Sequence, residues 1–248
     1  MKMEIIGPFL LSFLAGLSTL LGTLFIYINI KKVGEYIVFF LSFSMGIMIF
    51  ISIFDLLPSS IIVLINNYKY FYGLLISILI FILGYLSVDL INNKINKKNT
   101  SPLYSIGLLS LISLIIHNIP EGILVFMTSY TSFRVGFKMF LAIMLHNIPE
   151  GISIAIPLYY GGESRGRVIG LTLISGLSEP LGALLSYIFL KRVINEIIIS
   201  YLLLFVAGLM ISLSINNIYK EIIQYRIKNK MIQGLTLSII ISIIVLFI

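Results

Sequence analysis

Cysteine and tryptophan are absent from these 248 residues, histidine occurs twice, and charged side chains make up only 11%. Each shortage excludes something. Without cysteine there are no disulfides and no thiolate metal sites, so a metal bound here would need nitrogen and oxygen ligands. A soluble domain of this length would carry about 25% charged residues. This chain is instead 59% hydrophobic, with a mean hydropathy of +1.09. The alternation expected of a membrane barrel, about ten residues per strand, is also missing. What remains is a series of apolar runs, each long enough to cross a hydrocarbon core of roughly 30 Å as a helix. The expected fold is therefore all-α, a polytopic membrane bundle forming a single transmembrane domain over residues 1–248. The net charge of +7 does not point to nucleic acid, because the basic residues lie between apolar runs, where they set topology and meet lipid headgroups. The run that follows Lys2, Ile5 to Ile30, is too long for a signal-peptide core and lacks a small-residue cleavage site, so it reads as a first span.

Eight spans are expected, at about 5–29, 35–65, 71–91, 103–128, 136–160, 168–190, 197–219 and 232–248. Pro58 is expected to bend or end the long second span. Lysine and arginine number 11 in the connections after spans one, three, five and seven, against 6 on the opposite side. The positive-inside rule then puts both termini outside the cytoplasm and the basic linker 92–102 within it.

The sequence HNIPEG occurs twice, at His117–Gly122 and His146–Gly151, and these copies contain both histidines of the chain. They fall near the middle of spans four and five, which run in opposite directions. A motif repeated on antiparallel spans implies an inverted repeat, with a pseudo-two-fold axis in the membrane plane. Histidine and glutamate stand four apart in each copy, so His117 with Glu121, and His146 with Glu150, share a helix face. Asn118 and Asn147 flank those faces. Pro120 and Pro149 cannot donate to the carbonyls of Ile116 and Leu145, which need another partner in lipid. Span six adds Glu179 at its midpoint, followed by Pro180. Span two adds Asp55, roughly 9 Å outward of its centre at 1.5 Å per residue, a position closer to an entrance than to the core. Four acidic groups inside a membrane cost on the order of 12 kcal/mol if uncompensated, and no lysine or arginine lies near the middle of a span to offset them. Two divalent cations would balance them, and imidazole with carboxylate and amide oxygens suits zinc, iron(II) and manganese. Protonated carboxylates are the competing way to remain neutral.

With HNIPEG in spans four and five and SEPLG in span six, the chain resembles the ZIP family of divalent-metal transporters over essentially its whole length, and within it the bacterial ZupT-like branch. The resemblance implies eight spans with both termini outside the cytoplasm of a cell membrane. It implies a mid-membrane metal site from His117, Asn118, Glu121, His146, Asn147, Glu150 and Glu179, with Asp55 added from the reading above. It further implies import of zinc, with iron, manganese, cobalt and cadmium as further candidates, and no resident cofactor. The rival is an intramembrane metalloenzyme using metal-bound water. The chain lacks HExxH, in which glutamate directly follows the first histidine. Of the remaining polar residues, Asp89 reads as interfacial and Asn216 and Asn217 as structural. The small-residue series Ser178, Gly182, Ser186 reads as a packing surface, within the chain or in a homodimer. Tyrosines near the span ends suit an interfacial belt.

Overall fold

The computed structural model describes residues 2–28, 32–95, 101–190 and 196–246. Lys31, Lys97, Lys98, Lys191 and Arg192 lie outside it, as do the side chains of Asp89 and Lys94, so part of the charge count and the reading of Asp89 fall on undescribed positions. The described residues contain helices and no strand. In lipid this is the simple way to satisfy every backbone group within its own segment.

Ten α-helices occur among the described residues. They are α1 (Lys2–Ser18), α2 (Val33–Ile51), α3 (Leu57–Tyr68), α4 (Tyr70–Ile95), α5 (Pro102–Thr131), α6 (Phe133–Tyr160), α7 (Arg165–Leu185), α8 (Glu196–Leu213), α9 (Tyr219–Gln224) and α10 (Lys228–Leu246). Four segments continue them without a break. A 3₁₀ stretch, Thr19–Tyr27, prolongs α1, and wide π-type turns lie at Ser52–Leu56, Ser186–Leu190 and Ser214–Ile218. Joined in this way, seven stretches are long and apolar enough to cross a membrane, and α2 with α3 gives the longest, the 36 residues of Val33–Tyr68. α10 is the eighth apolar helix.

Of the two outcomes expected at Pro58, bending or ending the second span, the ending does not occur. The helix runs on to Tyr68, and the irregularity lies just before the proline, where the Leu57 N–H reaches back to the Ser52 carbonyl, five residues earlier. Pro58 can neither donate to nor pack closely on the Phe54 carbonyl, and a widened turn moves that carbonyl out of the proline's way.

The connections are tight. α3 meets α4 at one residue, Lys69, which adopts a positive φ of 66°. α5 meets α6 at Ser132 alone, in extended backbone. A one-residue joint between two long helices folds them into an antiparallel hairpin, so the two HNIPEG copies lie side by side. Two helix starts carry side-chain caps: Ser101 Oγ accepts from the Tyr104 N–H at 3.2 Å, and Ser164 Oγ from the Arg167 N–H at 3.4 Å.

The helices pack in two groups. α1 with its 3₁₀ extension, α5, α6 and α7 form one, while α2 pairs with α10 and α4 with α8 and α3. α2 against α6 and α5 against α8 join the groups. Glycines set the closest crossings inside each. A Cβ on Gly122 or Gly182 would overlap the backbone at Glu179 or Ile119, and one on Gly16 would overlap Gly176. In the other group Gly84 and Gly208 play this part against Phe205 and Phe81. Without a hydrophobic force between helices in lipid, such backbone approach is a main source of attraction. The series Ser178, Gly182, Ser186 is buried within the chain, with Gly182 against α5. It therefore serves internal packing, and the outward face of α7 carries Ile174, Leu177 and Leu181 instead.

Candidate metal centre

Because the α5–α6 hairpin is antiparallel and both motifs sit near mid-helix, the two His/Glu faces meet. His117 Nε2 and His146 Nε2 each lie 2.9 Å from Glu121 Oε1. His117 Nε2 also lies 3.2 Å from Glu150 Oε1. The four side chains thus form one chain of contacts, His146–Glu121–His117–Glu150, with Glu121 shared between the imidazoles. The ring centroids are 6.4 Å apart. Ligand atoms of His117, Glu121 and His146 all fall within 4.8 Å of one another. A tetrahedral zinc with bonds near 2.0–2.1 Å would hold its ligand atoms about 3.3 Å apart, so a bound ion would need each imidazole nitrogen to draw only a few tenths of an ångström away from Glu121 Oε1.

All four residues are at least 95% buried. Glu121 Oε2, Glu150 Oε2 and His117 Nδ1 lack a hydrogen-bond partner. Buried carboxylate oxygens without donors are costly, and a divalent cation is the partner that would satisfy several at once. Among the described residues, no lysine or arginine pairs with these carboxylates.

The asparagines take a second role that their spacing does not reveal. Asn118 Nδ2 donates to the Ser175 carbonyl of α7 at 3.0 Å, and Asn147 Nδ2 to the Ala15 carbonyl of α1 at 3.0 Å. A carbonyl only accepts, so each amide must turn its NH₂ toward the neighbouring helix and leave Oδ1 as the free acceptor. Both Oδ1 atoms are buried and unpartnered. Asn147 Nδ2 spends its other hydrogen on Glu179 Oε1. Glu179, wholly buried on α7, is thereby tied to the hairpin through an amide rather than by direct contact with the histidines. It is near enough to interact electrostatically with Glu121, Glu150 and His117.

Asp55 lies apart from the centre, on the wide turn Ser52–Leu56, with its side chain exposed. It shares with Glu121 and His146 the lining of a cavity of about 230 Å³. Its remaining walls are mostly apolar, among them Phe50, Leu124, Met139 and Ile143, with Lys138 the one cation. Sequence reasoning used Lys138 only for topology and gave span one no part in the site. Yet span one supplies the Ala15 carbonyl, and Thr19 and Gly22 pack directly on Gly151. The signal was present as the small-residue series Gly16, Thr19, Gly22. α2 contributes as well, since Ser44 Oγ donates to the Pro149 carbonyl at 2.6 Å.

Comparison with known proteins identifies the family. The family model described as ZIP Zinc transporter matches residues 91–247, which hold both motifs and Glu179. The zinc transporter ZupT of Streptococcus mutans is 30% identical to the chain, over 91% of it and 90% of the relative. That of Chlorobium limicola is 33% identical, over 92% of each, and that of Xanthomonas campestris 36%, over 73% and 72%. The likeness thus runs well beyond the motifs, over most of the chain, and the chain belongs to the ZIP zinc transporter family.

Proposed function

We propose that the chain carries zinc across a cell membrane into the cytoplasm, through the centre built by His117, Glu121, His146 and Glu150, with Glu179, Asn118 and Asn147 in support. Membership of a transporter family sets the metalloenzyme reading aside. One observation carries the pathway: a single cavity links the exposed carboxylate of Asp55 to the buried Glu121 and His146. A hydrated cation drawn in at Asp55 would lose water along apolar walls and meet its ligands at the bottom. The contact chain His146–Glu121–His117–Glu150 then offers a succession in which each new ligand is within reach before the last is released. The same nitrogen and oxygen donors suit iron(II), manganese, cobalt and cadmium.

The excess of basic residues after spans one, three, five and seven supports placing both termini outside the cytoplasm. It also makes the Asp55 cavity the extracytoplasmic mouth, so flow through it is import. The division into two helix groups supports one transmembrane domain in which one group shifts against the other to expose the centre alternately. Nothing in the packing of α7 calls for a homodimer, since its small-residue surface is used within the chain.

The test is zinc uptake into proteoliposomes, read by an enclosed fluorescent indicator. Wild-type protein should fill the vesicles, and a Glu121→Ala, Glu150→Ala double variant should not. Uptake at the wild-type rate by that variant would remove the centre from the pathway.

A further inference from the structure

The cavity reaches the centre from the Asp55 side. On the other side, further along α6 past Glu150 and along α1 past Thr19, fully buried Ile26, Leu41, Ile154 and Leu158 fill the bundle. Beyond them is an aromatic cluster drawn from three spans: Phe25 near the end of the 3₁₀ stretch, Tyr36 and Phe40 on the first turns of α2, and Tyr160 at the end of α6. Phe25 and Phe40 have ring centroids 4.6 Å apart, Tyr36 and Phe40 also 4.6 Å, and Tyr36 meets Tyr160 edge-on at 6.3 Å. These are attractive arrangements for aromatic pairs. Within the cluster the Tyr36 hydroxyl donates to the Phe25 carbonyl. That carbonyl is among the last of its helix, which a helix end leaves without intrahelical donors.

The bond has a particular place in the packing. Phe25 and Tyr160 belong to the group that holds the centre, whereas Tyr36 and Phe40 stand on α2, the partner of α10. Ring contacts and hydrogen bond alike therefore join one helix group to the other, on the side away from the cavity. A tyrosine serving only as an interfacial anchor would turn its hydroxyl to water and headgroups. Tyr36 turns it to a backbone carbonyl across the group boundary and is only partly exposed.

We propose that this cluster is the gate opposite the Asp55 cavity, and that the Tyr36–Phe25 hydrogen bond is its latch. Latched, it holds the state in which the centre is reached from the Asp55 side. Released, it lets the centre be reached from the other side. The proposal rests on the transport reading given above.

The lack of cysteine makes the test direct, because one introduced thiol is the only one present. Ala142→Cys reports the cavity that Ala142 lines. Ser110→Cys reports the closed side, since Ser110 lies seven residues before His117 on α5 and is fully buried. A membrane-impermeant maleimide is applied to either face of vesicles, with Tyr36 intact and then with Tyr36→Phe. With Tyr36 intact, Ala142→Cys should react quickly and Ser110→Cys slowly. Tyr36→Phe removes a single hydrogen bond, and should raise the Ser110→Cys rate about three- to tenfold without raising that of Ala142→Cys. An unchanged Ser110→Cys rate overturns the proposal, and so does an equal rise at both reporters, which means general loosening. Tyr160→Leu removes a ring contact and keeps the hydroxyl bond. It should also raise the Ser110→Cys rate selectively, and decides by the same criterion if Tyr36→Phe does not purify as a single species. Zinc uptake by the unsubstituted chain in the same vesicles separates two failures. Absence of uptake sinks the transport reading, while normal uptake with unmoved labelling sinks the latch alone.

Discussion

Glu121 is the residue on which both histidines converge, and a single oxygen of it faces both imidazole nitrogens at 2.9 Å. Replacing it with glutamine keeps the shape but removes the negative charge that both imidazoles face. Glu121→Gln should weaken zinc binding by at least the 10- to 100-fold usual for damage to the surroundings of a metal ligand, as read by calorimetry on detergent-purified protein. Glu179→Gln should cost less, because the amide oxygen can still accept from Asn147 Nδ2. Equal losses in the two variants would mean that Glu179 binds the ion as directly as Glu121 does. Asp55 calls for a different outcome, since it stands exposed at the cavity mouth. An exposed carboxylate concentrates cations by a field that salt screens over about 10 Å at 0.1 M. Asp55→Asn should therefore raise the half-saturating zinc concentration a few-fold at low salt, leave the maximal uptake rate near wild type, and lose most of its effect at 1 M salt. A fall in maximal rate instead would place Asp55 at the centre.

Between elements, stability rests on how closely backbones approach. The α5–α7 crossing is held by Gly122 and Gly182, each against backbone of the other helix. Gly182→Val should force the helices apart and cost about 1–3 kcal/mol, as overpacking does, seen as a lower melting temperature in detergent. Gly170→Ala on the same helix meets open space and should be neutral or stabilising by about 0.5–1 kcal/mol. Similar melting temperatures for the two would show that the crossing is not tightly packed. The sequence made much of this level legible. Apolar runs mark the helices, and the i, i+4 spacing of His and Glu puts them on one face because helical geometry is local. Partners across helices carry no local signature. Nothing in the spacing of Asn147 announces the Ala15 carbonyl 132 residues away, and with no histidine or acidic side chain within it, span one offered no ligand that would bring it to the site. The wide turn at Asp55 was likewise hidden, since Pro58 signals an irregularity without saying that the helix would absorb it.

For the whole molecule, a centre made from two halves of one hairpin and braced by α1 and α7 would couple ion binding to the assembly of four helices. Zinc that binds the folded state alone should stabilise by about 2.7 kcal/mol at a free concentration one hundred times its dissociation constant. The melting temperature in detergent should therefore rise with added zinc and fall back with a chelator, and Glu121→Gln should abolish the rise. A rise that persists in the variant would place the stabilising ion elsewhere.

The 3₁₀ stretch Thr19–Tyr27 has a consequence for reach. A 3₁₀ turn climbs about 2.0 Å per residue where an α-turn climbs 1.5 Å, so these nine residues gain roughly 4–5 Å of axial length. Span one has 23 residues and span two has 36, yet both cross the same slab. The stretched backbone is how the shorter one delivers Tyr27 to the level of the α6–α7 connection, where Arg165 lies 5.0 Å over its ring. Wound as an α-helix throughout, span one would stop almost one turn short of that contact.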